Sequence, residues 1–259
     1  MSEQRFFDHG TPGWVDLGTS DPVAARLFYG VLFGWEADDQ GRGYALCRLH
    51  GRAVAGIGPL SVAGQHSAWM TYMIVDDADS SVRKVKAAGG EVFLGPLDAL
   101  NAGRLAVVAD TTGAPFGLWQ PRSHRGAEIR GEHGTMCWHE LNTRRPISAA
   151  SFYGAVFGWE AHEVPIDDGS SYTEWLLGDK SVCGMMPMDN ATPAHVPPHW
   201  LVHFAVHDCD ESVGQATAIG ATLLVEPMDV PPGRLAVLAD PQGAAFAVIQ
   251  LHPHEGGAD

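Results

Sequence analysis

Basic side chains are scarce: 16 Lys and Arg stand against 31 Asp and Glu, a formal net charge of -15 over 259 residues. No Lys/Arg cluster offsets this locally, so phosphate backbones and anionic membrane surfaces are repelled, and a small neutral or cationic molecule is the expected partner. Cysteine is sparse too. Cys47, Cys137, Cys183 and Cys209 show no paired spacing, which argues against a zinc knuckle or redox pair and for buried thiols in a reducing compartment. No hydrophobic run approaches the length of a membrane span, and Met1 to Gly10 lacks the basic-then-apolar order of a secretory leader. The cytoplasm is the expected location. Also missing are a Gly-x-Ser-x-Gly elbow, a phosphate loop and a dinucleotide fingerprint, which disfavours serine acyl transfer, kinase chemistry and hydride transfer.

What is present is a repeat. Phe28-Tyr29-Gly30-Val31-Leu32-Phe33-Gly34-Trp35-Glu36 returns as Phe152-Tyr153-Gly154-Ala155-Val156-Phe157-Gly158-Trp159-Glu160, and the same shift lays Trp14 on Trp138 and Leu17 on Leu141. The repeating unit is about half the chain, too long for a solenoid, so the pattern reads as two copies of one domain. The boundaries are a first domain over 8–121, a polar linker over 122–133 and a second domain over 134–252, with loose residues from His254 onward. With 45% apolar and 18% charged residues, the composition is that of an ordinary folded protein.

Within the first half, Trp14 to Thr19 alternates as a strand, Asp21 caps a helix whose first residue is Pro22, and Gly34 stops it. That helix is expected to turn Ala24, Leu27, Phe28, Val31 and Leu32 inward. Trp35 and Trp159, just past the stops, read as packing residues. Strands are expected at Tyr44 to Leu49, Ala53 to Leu60 and Trp69 to Val75, then a helix over Asp77 to Ala88 with Val82 and Val85 inward, then strands at Glu91 to Leu94, Arg104 to Ala109 and Phe116 to Gln120. The second half replays this order, with Gly233-Arg234-Leu235-Ala236-Val237 matching Gly103-Arg104-Leu105-Ala106-Val107, and Asp240-Pro241-Gln242-Gly243 as a type I turn.

A strand, Asp-Pro-x-x-Ala, Phe-Tyr, a Gly-closed helix, and later Asp-Pro-x-Gly before an apolar strand resemble the vicinal oxygen chelate superfamily. That superfamily includes glyoxalase I, extradiol dioxygenases and bleomycin- and fosfomycin-resistance proteins. The Phe-Gly-Trp ending and paired Gly-Arg-Leu-Ala-Val strands are similar to a bacterial tandem-domain, glyoxalase-like subclass. The resemblance covers nearly the whole chain. It implies an α+β fold of two tandem domains, each of two βαβββ modules forming a cupped mixed sheet with helices outside and the ligand in the cup.

Metal-using members draw ligands from the first strand of each module and the last strand of the domain. Carried over by the helix and turn landmarks, those positions fall on Trp14, Met70 and Gly117, and on Trp138, Leu201 and Ala247. None supplies an oxygen, imidazole or thiolate donor, and a slip of one residue reaches only Val15 or His139. The pattern calls for no cofactor, though it leaves a divalent metal open.

Because residues two apart on a strand share a face, Asp16 joins Trp14, Tyr72 joins Met70, Glu140 joins Trp138, His203 joins Leu201, and Ile249 joins Ala247. Glu140 with His203 makes a candidate acid-base pair. Trp14, Asp16, Met70, Tyr72, Trp119, Trp138, Leu201, Ala247 and Ile249 are the candidate ligand-binding residues. His195, His199, His203 and His207 recur every fourth residue, but Pro197-Pro198 and the apolar Trp200, Val202, Phe204 and Val206 make this a strand, not a helical metal ladder. His203 then reads as a structural histidine, an acid-base group or, with His199 and His207, a metal ligand. Asp16 and Glu140 also read as structural carboxylates tied to Arg104 and Arg234. The aromatic residues either floor a cup or fill it as core. Two function classes follow: metal-free acid-base processing of a bulky aromatic or polyketide-like metabolite, or sequestration without turnover. Metal-dependent glyoxalase or dioxygenase chemistry requires a different placement of the ligand positions. The chain is expected as a monomer with its halves paired or as a homodimer.

Overall fold

A computed structural model describes residues 7–60, 64–166, 171–189 and 192–252; the expectation for His254 onward lies outside them. Four strand-helix-strand modules follow one another. The first is β1 (Pro12–Thr19), α1 (Pro22–Phe33), β2 (Glu36–Asp39), β3 (Ala45–Leu49) and β4 (Arg52–Pro59). The second is β5 (Ala68–Ile74), α2 (Ala78–Ala87), β6 (Glu91–Ala99), β7 (Gly103–Ala109) and β8 (Pro115–Pro121). The third is β9 (Met136–Thr143), α3 (Pro146–Phe157), β10 (Glu160–Pro165), β11 (Ser171–Leu177) and β12 (Lys180–Pro187). The fourth is β13 (His199–Ala205), α4 (Cys209–Ala218), β14 (Thr222–Val230), β15 (Gly233–Ala239) and β16 (Ala245–Leu251).

These strands form two eight-stranded mixed sheets, ordered β2-β3-β4-β1-β5-β8-β7-β6 and β10-β11-β12-β9-β13-β16-β15-β14, as the α+β tandem expectation holds. β1 runs parallel to β4 and β5 to β8, as do their counterparts. β2 and β10, absent from the sequence reading, are edge strands of exposed, mostly polar residues that carry no apolar alternation.

The helix signals act locally. Asp21 Oδ1 accepts from the Val23 and Ala24 amides, and Gly34 closes α1 in the left-handed region at φ 73°. The inward face of α1 is a correction. Ala25, Phe28, Tyr29, Leu32 and Phe33 are buried, whereas Leu27 and Val31 are 68% and 56% exposed. The wide aromatic pair Phe28-Tyr29 and Leu32-Phe33 covers the core, which rotates the Leu27 row outward. In α2, Val82 and Val85 face inward as expected.

By packing, the chain divides into two compact units that do not follow the sequence halves. One takes Met1–Val15, Met70–Glu128 and Trp138–Leu201; the other takes Asp16–Trp69, Ile129–Cys137 and Val202–Asp259. In the first unit, Phe116, Phe152, Tyr153, Phe157, Trp159, Trp175 and Trp200 build a buried aromatic core with Val82 and Val85 of α2. The Tyr153 hydroxyl donates to Asp110 Oδ2 at 3.1 Å and accepts from Trp200 Nε1 at 3.0 Å. The second unit repeats this: Tyr29 donates to Asp240 Oδ2 at 3.1 Å and accepts from Trp69 Nε1 at 3.0 Å. The other carboxylate oxygen of each Asp accepts backbone amides inside its own turn. Trp35 and Trp159 stack on those tyrosines, and their indole N–H groups donate to the carbonyls of Gly134 and Gly10, so both are packing residues.

Candidate functional site

The buried Trp200, Val202 and Phe204 of β13 face the helices, so Leu201 and His203 point to the opposite, concave face of the sheet. The same alternation turns Trp138, Glu140 and Asn142 of β9 and Ala247 and Ile249 of β16 away from the helices on their own strands, and in the other sheet it does the same for Trp14 and Asp16 of β1 and Met70 and Tyr72 of β5.

Across each parallel strand pair, a large candidate side chain lies in register with a small residue: Asp16 with Gly56, Tyr72 with Gly117, Glu140 with Gly184, and His203 with Ala247. The glycines are seats. A Cβ on Gly117 would come within 2.0 Å of the Tyr72 ring, and one on Gly184 within 1.7 Å of the Tyr172 hydroxyl. On Gly56 it would meet Asp16 Oδ1 at 2.0 Å and the Tyr44 hydroxyl at 2.1 Å.

Glu140 sits at the centre of a polar chain. Trp138 Nε1 donates to the Tyr172 hydroxyl at 2.7 Å, that hydroxyl interacts with Glu140, and Asn142 Nδ2 donates to Glu140 Oε1 at 3.2 Å. Burial pushes the Glu140 carboxyl up to about 7, against the pull of its Asn142 and Tyr172 hydrogen bonds. Burial alone pushes His203 down to about 4, and its Nε2 has no hydrogen-bond partner. At neutral pH this imidazole is therefore neutral, whereas the Glu140 carboxyl is the one of the two pushed toward the neutral range.

The first half builds the counterpart differently. Tyr44 donates to Asp16 Oδ1 at 2.8 Å, but the Trp14 ring is 2% exposed and meets the edge of His124 at 4.2 Å. Trp119 Nε1 donates to the His124 carbonyl at 2.9 Å. The segment read as a linker thus covers the first-half aromatics. Met70 is partly exposed, Tyr72 and Leu201 are nearly buried, and Ala247 and Ile249 are buried.

The arginine partners are a correction. Arg104 pairs with Asp79 and Asp98, and Arg234 with Asp210 and Asp229, because each arginine lies in cross-strand register with Asp98 or Asp229. Sequence reasoning also missed Tyr44 and Tyr172 as site residues. The available signal was that Tyr44 and Gly56 recur as Tyr172 and Gly184 in matching strands. A cleft of about 620 Å³ at the start of α3, lined by Arg144, Arg145, Ser148 and Phe152 among others, lies away from this face.

The glyoxalase-like domain family matches residues 138–249. Over nearly the whole chain, relatives are closer. The protein named "Putative glyoxylase CFP32" of Mycobacterium tuberculosis is 42% identical over 98% of this chain and 100% of its own length. The chain belongs to the vicinal oxygen chelate superfamily, in its glyoxalase-like branch. The anthracycline biosynthesis protein DnrV of Streptomyces peucetius is 37% identical over 95% of this chain and 94% of its own. Among solved structures, the Mn(II)-bound glyoxalase from Novosphingobium aromaticivorans superposes with a TM-score of 0.65 at 14% identity, covering 96% of this chain and 87% of that one. The 2,3-dioxygenase LapB from Pseudomonas sp. KL28 gives 0.63 at 16% identity and 95% coverage of each. These two likenesses establish the fold.

Such a superfamily member raises the question of a divalent ion. The donor set at the carried-over positions does not fit one. Trp14, Met70, Trp138, Leu201 and Ala247 offer no oxygen, imidazole or thiolate side chain, and the space beside Gly117 holds the Tyr72 ring. Among the described residues, no three His, Cys, Asp or Glu side chains gather as a metal site.

Proposed function

We propose that this protein processes a small molecule by acid-base chemistry in its second-half cup, without a divalent ion at the family positions. Glu140 is the proton-exchanging group. The observation that carries this reading is a half-buried carboxyl, held by Asn142 beside the Tyr172 hydroxyl and pushed by desolvation up to about 7, the range where a general acid or base is most effective. The ligand is a bulky aromatic or polyketide-like metabolite. Support comes from the Trp138 and Tyr172 rings beside Glu140 and a 37% identical relative named for anthracycline biosynthesis. The acidic chain works in the cytoplasm on a small molecule, with neither nucleic acid nor membrane as partner; no described helix is long and apolar enough to cross a membrane.

The test begins with the small molecule that co-purifies, identified by mass spectrometry. Glu140→Gln should abolish turnover of that compound while leaving its affinity within a few-fold. Loss of affinity alone, with no turnover by the wild type, establishes the second reading, sequestration. Stoichiometric zinc, iron, nickel or manganese in untagged protein would overturn the metal-free assignment.

A further inference from the structure

The concave face of the second sheet contains a device that neither the family match nor the relatives' names assign. In the parallel pair β9–β12, Gly184 lies opposite Glu140. The space a Cβ would take at Gly184 is filled by the Tyr172 hydroxyl. An indole N–H can only donate, so the Tyr172 oxygen accepts at the 2.7 Å contact with Trp138 Nε1. That leaves the single phenolic proton free to point at the Glu140 carboxyl, the acid in register with the Gly184 notch and the group with which Tyr172 interacts. The chain therefore has one direction: Trp138 N–H to Tyr172 O–H to the Glu140 carboxyl. Asn142 holds Oε1 of the same carboxyl from the side.

Tyr172 cannot itself serve as a base, since burial and the neighbouring Glu140 carboxylate push its hydroxyl well above the usual phenol range. Its chemistry is donation. We infer that Tyr172, seated in the notch left by Gly184 and oriented by Trp138, is the positioning residue that commits a proton to Glu140 and so sets where that carboxyl points and at what pH it ionises. The inference rests on the reading above only in taking Glu140 as the working carboxyl.

The first half contains the same notch, with Tyr44 on Asp16 and Gly56 opposite. This makes it an internal control: Tyr44→Phe deletes the corresponding phenol without touching Glu140. The experiment titrates Glu140 directly, by the carboxyl stretch in the infrared difference spectrum between wild type and Glu140→Gln, with no ligand present. In Tyr172→Phe, loss of a donor to the ionised form should raise the Glu140 midpoint by about one pH unit. Trp138→Phe, which removes only the orienting donor, should raise it by less. Tyr44→Phe should leave it unchanged.

A midpoint unmoved in folded Tyr172→Phe overturns the inference. If that variant does not fold, Trp138→Phe decides: an unmoved midpoint there also overturns it. Outcomes separate from those of the functional proposal. A shifted midpoint with turnover indifferent to Glu140→Gln sinks the functional proposal and keeps the positioning role. An unshifted midpoint with turnover lost in Glu140→Gln does the reverse.

Discussion

The two halves contain the same carboxylate-tyrosine-glycine notch, yet they present it to different surroundings. In the first, Trp14 is buried against His124 and the carboxylate is the shorter Asp16. In the second, Trp138 is partly exposed, donates to Tyr172, and the carboxylate is the longer Glu140. Behind the sheets the two compact units scarcely differ: each has a Trp-Tyr-Asp relay of matching distances and an indole capping a glycine carbonyl. The repeat thus shares its scaffold and differs on the strand faces turned away from the helices.

That comparison can be broken or sharpened in order of effect. The scaffold side should respond equally in both units: Trp159→Ala and Trp35→Ala should each cost about 3–5 kcal/mol in urea unfolding, and a cost confined to one of them would mean the two cores are not equivalent.

The concave side should respond unequally. His203, whose folded value is depressed to about 4, contributes stability that is present above its unfolded value near 6.5 and is lost as pH falls toward 4. A His203→Gln variant should therefore lose this acid-side slope, worth about 3 kcal/mol between those limits. Thermal melts from pH 7 to pH 4 measure it. Glu140 has the opposite sign. Its folded value is raised to about 7, so its contribution is fully present below about 4.5 and is lost as pH rises through 7. Glu140→Gln should stabilise the protein by about 2 kcal/mol at pH 8 relative to wild type, after allowance for its partial exposure, with the gain vanishing near pH 4.5.

The smallest effect tests the corrected helix face. Leu27→Gln on exposed α1 should change stability by less than about 0.5 kcal/mol, and a loss of several times that would restore Leu27 to the core.

Much of the fold was legible because its signals are local. Asp21-Pro22 and Gly34 start and stop a helix through hydrogen bonds and a left-handed φ within a few residues, and the alternation of Trp200, Val202 and Phe204 follows from strand geometry. The face of α1 was misread because Leu27 and Phe28 are both apolar, and only the rings packed below decide which row turns in. The site was legible in part. Alternation turned Glu140 and His203 away from the helices, but Tyr172 lies two strands away, and nothing near Glu140 in sequence announces it. Arg104 illustrates the same limit: its charge called for an acid, and strand register supplied Asp98 in place of Asp16.

The sequence by itself determined that the chain is built from repeated strand-helix-strand modules, with stops at Gly34 and Gly158. Only the tertiary structure decided which copy packs with which. Tyr29 meets Asp240 and Tyr153 meets Asp110, so each repeated tyrosine bonds to the turn of the other half. Both copies carry the same Tyr and the same Asp, so local chemistry is degenerate between the two pairings, and the choice between them rests on long-range packing of whole modules.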